Sequence, residues 1–188
     1  MALATLEQLK EYMSIPVDKI DPAKDELLEA FLNRVSARIE TYCGRTFASA
    51  EYTEYRDGRG LPYIYTNQYP ITTVSGIWDD YDWSWADATL ISSTFYRVSN
   101  DGNSINFHDY TLTEGVENIK IIYTAGYSTL PLDLVQVCLE EVVIAWKAKS
   151  NPGLISITME DGSIQRNSTN FLPSSMAVLN KYRKPVMI

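Results

Sequence analysis

The 188-residue chain has one histidine, two cysteines, no glycine-rich phosphate loop and no long apolar run. Each absence excludes a class of function. A transition-metal site needs several imidazole or thiolate ligands at short spacing, and His108 has no such companion. A Ser–His–Asp hydrolase would have to use that same histidine, and no nucleophile-elbow sequence exists. With neither a P-loop nor a G-x-G-x-x-G motif, nothing marks a nucleotide-phosphate site. No apolar stretch reaches the ~18 residues of a membrane span, and the N-terminal MALATLEQLKEY has neither the basic nor the apolar segment of a signal peptide. The expectation is assembly in the cytosol, away from membranes. Basic residues are also scarce, 16 Lys and Arg against 24 Asp and Glu, a formal charge of −8. Phosphate affinity needs clustered cations, so specific DNA binding is not expected. Cys43 and Cys138 each fall in an apolar helical pattern and read as small buried hydrophobes of a reducing compartment.

What is present suits an ordinary globular protein: 45% hydrophobic and 21% charged residues, enough for one domain or one domain with a large insertion. Tyrosine, at 13 residues, outnumbers Phe and Trp together, which suits sheet faces and subunit interfaces. Thr5 and Gln8 have capping-box spacing before a helix from about Leu6 to Met13, and Pro16 forbids its continuation. A second helix has Asp21 as N-cap, Pro22 in the first turn, Asp25 and Glu26 at the positive end of the dipole, and Gly44 as stop. Its apolar face is Leu28, Phe31, Val35, Ile39 and Tyr42.

From Glu51 to Tyr127 the texture becomes β-rich, with runs at Tyr63–Tyr65, Ile71–Ile77, Phe95–Val98, Ile105–Phe107 and Ile119–Tyr123. Asp57-Gly58, Asp101-Gly102 and Gly115 punctuate them as turns, and His108 reads as an edge or surface residue. A third helix is expected from about Pro131 to Lys149. Its broad apolar face (Leu134, Val135, Cys138, Val142, Ala145, Trp146) leaves Gln136, Glu140, Glu141 and Lys147 as its polar side. A helix this apolar is buried on most sides, in part by a neighbouring subunit. After Asn151-Pro152-Gly153, Ile155, Ile157 and Met159 alternate with polar residues, and Asp161-Gly162 signals a hairpin. A last helix spans about Ser174 to Arg183. The fold class is therefore α+β: a mainly helical core of about four helices (3–47 and 128–184), a β-rich insertion (about 51–127) between the second and third long helices, and a short C-terminal hairpin and helix.

Three segments are candidates for function. In the acidic-aromatic stretch at 78–87, Asp80, Asp82 and Ser84 alternate like the start of a calcium loop. Trp85 stands where that loop needs glycine, and Ile91 where it needs the bidentate Glu. Trp78, Trp83 and Trp85 read either as loop aromatics packed on the β region or, with Val143 and Trp146, as interface anchors. An acid–base role for Asp79, Asp80 or Asp82, or sugar stacking on the tryptophans, stays open on spacing alone. The hairpin tip at Glu160, Asp161 and Gly162 is a candidate channel- or tail-facing loop, or simply a local hairpin. The terminal residues (184–188) are basic and then apolar, and read either as a frayed terminus or as a composition suited to docking in a groove on an acidic partner.

Four pieces, in order, carry a resemblance. They are LEQLKEYMSI with DPAKDELLEAFLNRVSARIETYCGRTF, then QYPITTVSGIWDD, then IKIIYTAGYSTLPLDLVQVCLEEVVIAW, and finally NKYRKP. Together they resemble the phage head–tail connector (adaptor, or head completion) proteins across about residues 3–184. The resemblance implies a non-enzymatic virion protein without cofactor or metal. It implies a homo-oligomeric ring, commonly of twelve copies, docked under the portal protein. Such a ring extends the DNA channel without specific DNA binding and offers a surface to a stopper or tail-completion protein. It also implies a portal-docking tail, which falls here on Tyr182, Arg183, Lys184, Val186, Met187 and Ile188. The long segment at 78–93 departs from the family pattern.

Overall fold

The computed structural model describes residues 2–16, 21–149 and 171–184, and the backbone of 156–159 and 162–165. The chain divides into two compact units, a helical one (residues 1–45 and 130–188) and a β one (residues 46–129).

The helical unit begins with α1 (Leu6–Tyr12), where Thr5 and Gln8 form both bonds of the capping box. α2 (Pro22–Cys43) is capped by the Asp21 carboxylate, which accepts the Lys24 N–H, and ends at Gly44 in the left-handed conformation (φ 66°). Leu28, Phe31, Leu32, Val35, Ile39 and Cys43 are buried. Tyr42 is only half-buried, because its hydroxyl reaches Asn180 Oδ1 at 2.8 Å. α3 (Leu132–Ala148) buries Leu134, Val135, Val137, Cys138, Leu139 and Val142. Its last turns, Val143 to Trp146, are half-buried. Glu141, expected on the polar side, is 4% exposed. It turns inward because its carboxylate accepts the Leu172 N–H at 2.8 Å, where α4 (Pro173–Tyr182) begins.

The β unit contains two three-stranded antiparallel sheets. The first has the order β1 (Ala50–Gly58), β6 (Gly115–Ala125), β3 (Ile71–Asp79); the second has β2 (Tyr63–Tyr65), β5 (Ser104–Phe107), β4 (Tyr96–Val98). Both sheets supply one core: Ile64, Ile105 and Phe107 from the second, Ile71, Ile77, Ile119, Ile121 and Tyr123 from the first, with Ile91 and Leu112. Each such aliphatic side chain contributes roughly 1.5–3 kcal/mol by leaving water. On the central strand β6 the alternation is regular: Ile119, Ile121, Tyr123 and Ala125 point inward, and Lys120, Ile122 and Thr124 occupy the other face.

The α+β class agrees with expectation, and so do the helices. Two turn assignments do not. Asp57-Gly58 ends β1, and Gly115 begins β6, the two glycines lying opposite one another. The sequence gives no strand signal for β1, because Glu51–Arg56 mixes tyrosine and threonine with charges, does not alternate strictly and has no aliphatic residue. Phe95 closes a 3-10 turn (Ser93–Phe95), and the strand starts at Tyr96. The C-terminal hairpin pairs β7 (Ser156–Met159) with β8 (Gly162–Gln165). Gly162 faces Met159, so it belongs to a strand rather than to the turn.

Candidate interaction surfaces

The acidic-aromatic segment is built around one carboxylate. Asp80 is 4% exposed and accepts the N–H of Asp82 (2.9 Å) and of Trp85 (2.7 Å), and the hydroxyls of Ser84 (2.8 Å) and Thr89 (3.3 Å). These bonds, the one from Ser84 foremost, hold its pKa below the usual Asp value. The alternation that suggested a calcium loop is therefore an Asx-type loop lock. No group of three or more His, Cys, Asp or Glu able to hold a metal occurs among the described residues. Asp79, its neighbour, serves a different segment: it accepts from the Tyr110 hydroxyl (3.0 Å), the Thr113 N–H (2.8 Å) and the Asn118 amide (3.3 Å). Burial and this bond push the Tyr110 pKa up to about 12.

The three tryptophans take three different places. Trp78 stands opposite Lys120 in the β3–β6 register, and Tyr55 stands opposite it on β1. The Lys120 ammonium lies 4.9 Å from the Trp78 ring and 5.8 Å from that of Trp85, and Trp85 packs on Tyr55 at 5.4 Å. The Trp78 ring can fold down the strand because position 76 is glycine: a Cβ there would stand 2.5 Å from the indole. Trp78 and Trp85 thus cover the outer face of the sheet. Trp83 projects. It is 59% exposed, and its indole N–H donates to the Val116 carbonyl at 3.3 Å. Tyr81 (74%) and Val116 (72%) are exposed beside it in the chain and at that bond. Both Trp83 (φ 56°) and Trp85 (φ 53°) adopt left-handed backbone, costly for a bulky residue and held here by the Asp80 bonds.

On the helical unit Trp146 packs edge-on against Phe31, with ring centroids 5.6 Å apart. The two rings carry cations on their faces: Arg34 over Phe31 at 4.5 Å and Lys149 over Trp146 at 5.0 Å. Arg38, one turn along, lies over Phe171 at 4.2 Å. Each such contact contributes about 0.5–1 kcal/mol at an exposed site. Val143 is half-buried on the same helix as Trp146.

The root of the C-terminal tail is anchored three times. The Tyr182 hydroxyl donates to Asp133 Oδ1 at 2.6 Å, Arg183 lies 5.6 Å over the Tyr42 ring, and the Lys184 N–H donates to the Cys43 carbonyl at 2.8 Å. Sequence reasoning placed these residues in the tail and missed the anchors, which join positions more than 45 residues apart. Val186, Met187, Ile188, Glu160 and Asp161 lie outside the described residues, and Gly162 is described in its backbone only.

Nothing here is arranged as a catalytic centre among the described residues. His108 is exposed, touches Phe95 at 6.2 Å, and lines an open hollow of about 410 Å³ with Tyr96, Arg97, Asn106 and Phe107. Cys43 and Cys138 are buried free thiols, each pushed up to about 11 by desolvation, so neither is a nucleophile at neutral pH. No helix among the described residues is long and apolar enough to cross a membrane.

Comparison with known proteins gives one family. A model described as "Head completion protein" matches residues 2–185. No curated protein matches. Among solved structures, the fold is similar to a chain in the neck of an empty GTA particle computed with C6 symmetry, at 18% identity and TM-score 0.66, covering 99% of this chain and 92% of that one. A chain in the neck of a native GTA particle computed with C12 symmetry gives 17% identity and TM-score 0.59 over 96% and 88%. A chain in the virion of a native gene transfer agent particle gives 15% and 0.61 over 99% and 92%.

Proposed function

The chain belongs to the head completion protein family, and from that premise we propose that it is a structural subunit of a phage-type head–tail connector, acting as one copy of a ring and not as an enzyme. The match across residues 2–185 carries this reading. The ring docks under the portal, continues the DNA channel, and gives a stopper or tail-completion protein a surface to join. The similar neck chains come from particles computed with C6 and C12 symmetry, which supports a closed ring here.

The charge distribution suits a conduit. The β unit holds 11 acidic residues against 4 basic, a net −7, and the helical unit 13 against 12, a net −1. An acidic lumen repels phosphate, so DNA would pass without being held.

Portal docking falls to the tail. Tyr182, Arg183 and Lys184 are held by α2 and α3, so the root of the tail is fixed on the helical unit. Val186, Met187 and Ile188 then supply an apolar tip of roughly 1.5–3 kcal/mol per fully buried side chain. One tip is weak once its ordering is subtracted, but many tips in one ring act together. The hairpin tip around residues 160–162 is the part offered to the channel or to the tail-side partner.

The test is deletion of residues 185–188. The truncated chain should unfold at the same urea concentration as the full chain and no longer sediment with portal rings. If it still joins portals, the tail is not the docking element. The stacking of sugars on three adjacent indoles has no support in the geometry, since Lys120 takes the faces of Trp78 and Trp85.

A further inference from the structure

We propose that neighbouring copies of the chain join head to tail, the Trp83 tip of the β unit seating on the cation-covered Phe31–Trp146 face of the next copy's helical unit. The inference rests on the ring reading and names its contact.

A ring closed by rotation needs two different, complementary surfaces on every subunit. The β unit offers one of the right kind. Its tip is apolar and aromatic, with Tyr81, Trp83 and Val116 all more than half exposed. It is preformed, because the Asp80 bonds and the Trp83–Val116 bond hold it, so little ordering cost falls on association. Its rim is anionic: Asp82 and Glu117 are exposed, and each lies next in the chain to a residue of the tip.

A surface that receives such a tip must offer apolar area rimmed by cations. The helical unit offers one. Its floor is the half-buried Trp146, packed edge-on against the buried Phe31. Arg34 and Lys149, both exposed, lie on those rings, and among the described residues neither has a carboxylate partner. Arg and Trp are the residue types that most often dominate interface energies. The partner's chemistry is therefore acidic and aromatic, and the −7 unit of a second copy has both properties. Opposite charges at the rim fix register and speed encounter; the indole supplies the desolvated contact.

The experiment is a charge swap in the full chain. One variant reverses the tip (Asp82→Lys with Glu117→Lys) and the other reverses the receiving face (Arg34→Glu with Lys149→Glu). All four side chains lie on the surface, and unchanged circular dichroism and melting verify the fold. Ring formation is read by sedimentation and negative-stain images, for the free chain at high concentration and on portal rings. Each variant alone should lose rings, since like charges then meet at every joint. An equimolar mixture should regain them, because alternating copies restore opposite charges at every contact. Trp83→Ala should weaken assembly at least tenfold in the concentration required.

If each variant alone builds rings as the unmodified chain does, the contact lies elsewhere and the inference is overturned with the ring reading intact. If the face-reversed variant fails and the mixture does not rescue it, the cations meet another acidic partner, the portal or DNA, and the copy-to-copy assignment is wrong. If the unmodified chain forms no ring, free or on portals, the ring reading falls and this inference with it.

Discussion

The helical and β units use their polar side chains in opposite ways. In the helical unit, nearly neutral, polar contacts act as seams between helices: Lys10 with Asp25 at 2.7 Å, Ser36 Oγ accepting the Leu3 N–H at 2.9 Å, Glu141 with Leu172, Tyr182 with Asp133. In the β unit, at −7, the carboxylates work as local acceptors that pin loops. Asp80 holds the segment to Thr89, Asp79 holds Tyr110 and Thr113, and Glu54 holds the Asn67 N–H while bonding the Tyr123 hydroxyl. An excess of anions can thus coexist with defined loops, because Asp79 and Asp80 are satisfied by N–H and O–H donors, and Glu54 by such donors together with the Arg56 guanidinium at 3.6 Å.

The comparison can be broken most severely through the two cores. Ile121→Ala in the β unit and Leu134→Ala in the helical unit each empty a fully buried site. Each should cost about 2–5 kcal/mol by urea unfolding. A loss under 1 kcal/mol at either site would mean that the unit is not organised around that residue. Glu141→Ala tests the seam and should cost about 1–2 kcal/mol, the loss of a charge-assisted bond to the part-buried Leu172 N–H. An unchanged stability would show that the Leu172 N–H has another partner.

Asp80→Ala tests the opposite use. The loop should open, seen as faster proteolysis between residues 80 and 89 and a shift in tryptophan emission, with the rest of the β unit still folded. The pH response has a definite sign. The native pKa of Asp80 is lowered, so its stabilisation is complete above the ordinary Asp value of 3.8 and is lost as pH falls through the lowered native value. Acidification should therefore reproduce the Asp80→Ala emission change, and Asp80→Ala itself should show no further change in that window. The smallest effect belongs to the α1 cap: Thr5→Ala should cost about 0.5–2 kcal/mol and leave the β unit's hydrogen-exchange pattern untouched.

How legible all this was depended on whether the signal was local. The helices could be read because their determinants are neighbours in sequence: Thr5 with Gln8, Asp21 with Pro22, the three-and-four spacing from Leu28 to Ile39. Strand β1 could not, since Tyr52 and Tyr55 take their places only when β6 pairs with them. The glycines at 58 and 115 look like turns for the same reason; what they do is face each other across the β1–β6 pair. The candidate site was legible only as a segment. The segment 78–87 stood out, but a single sequence does not show that Lys120 claims Trp78 and Trp85 and leaves Trp83 to project. An Asx bond from Asp80 to the Asp82 N–H was within reach of local reasoning; the bonds to Trp85 and Thr89 were not. That the polar Glu141 would be buried was not legible, because its partner lies 31 residues away.

The most direct test is a count of copies. The full chain would be mixed with purified portal rings and the complex imaged by electron microscopy with no symmetry imposed. A closed ring of this chain beneath the portal, coaxial with an open channel and held by the C-terminal segment, is the predicted result. Isolated single copies scattered on the portal, or no complex at all, would contradict it.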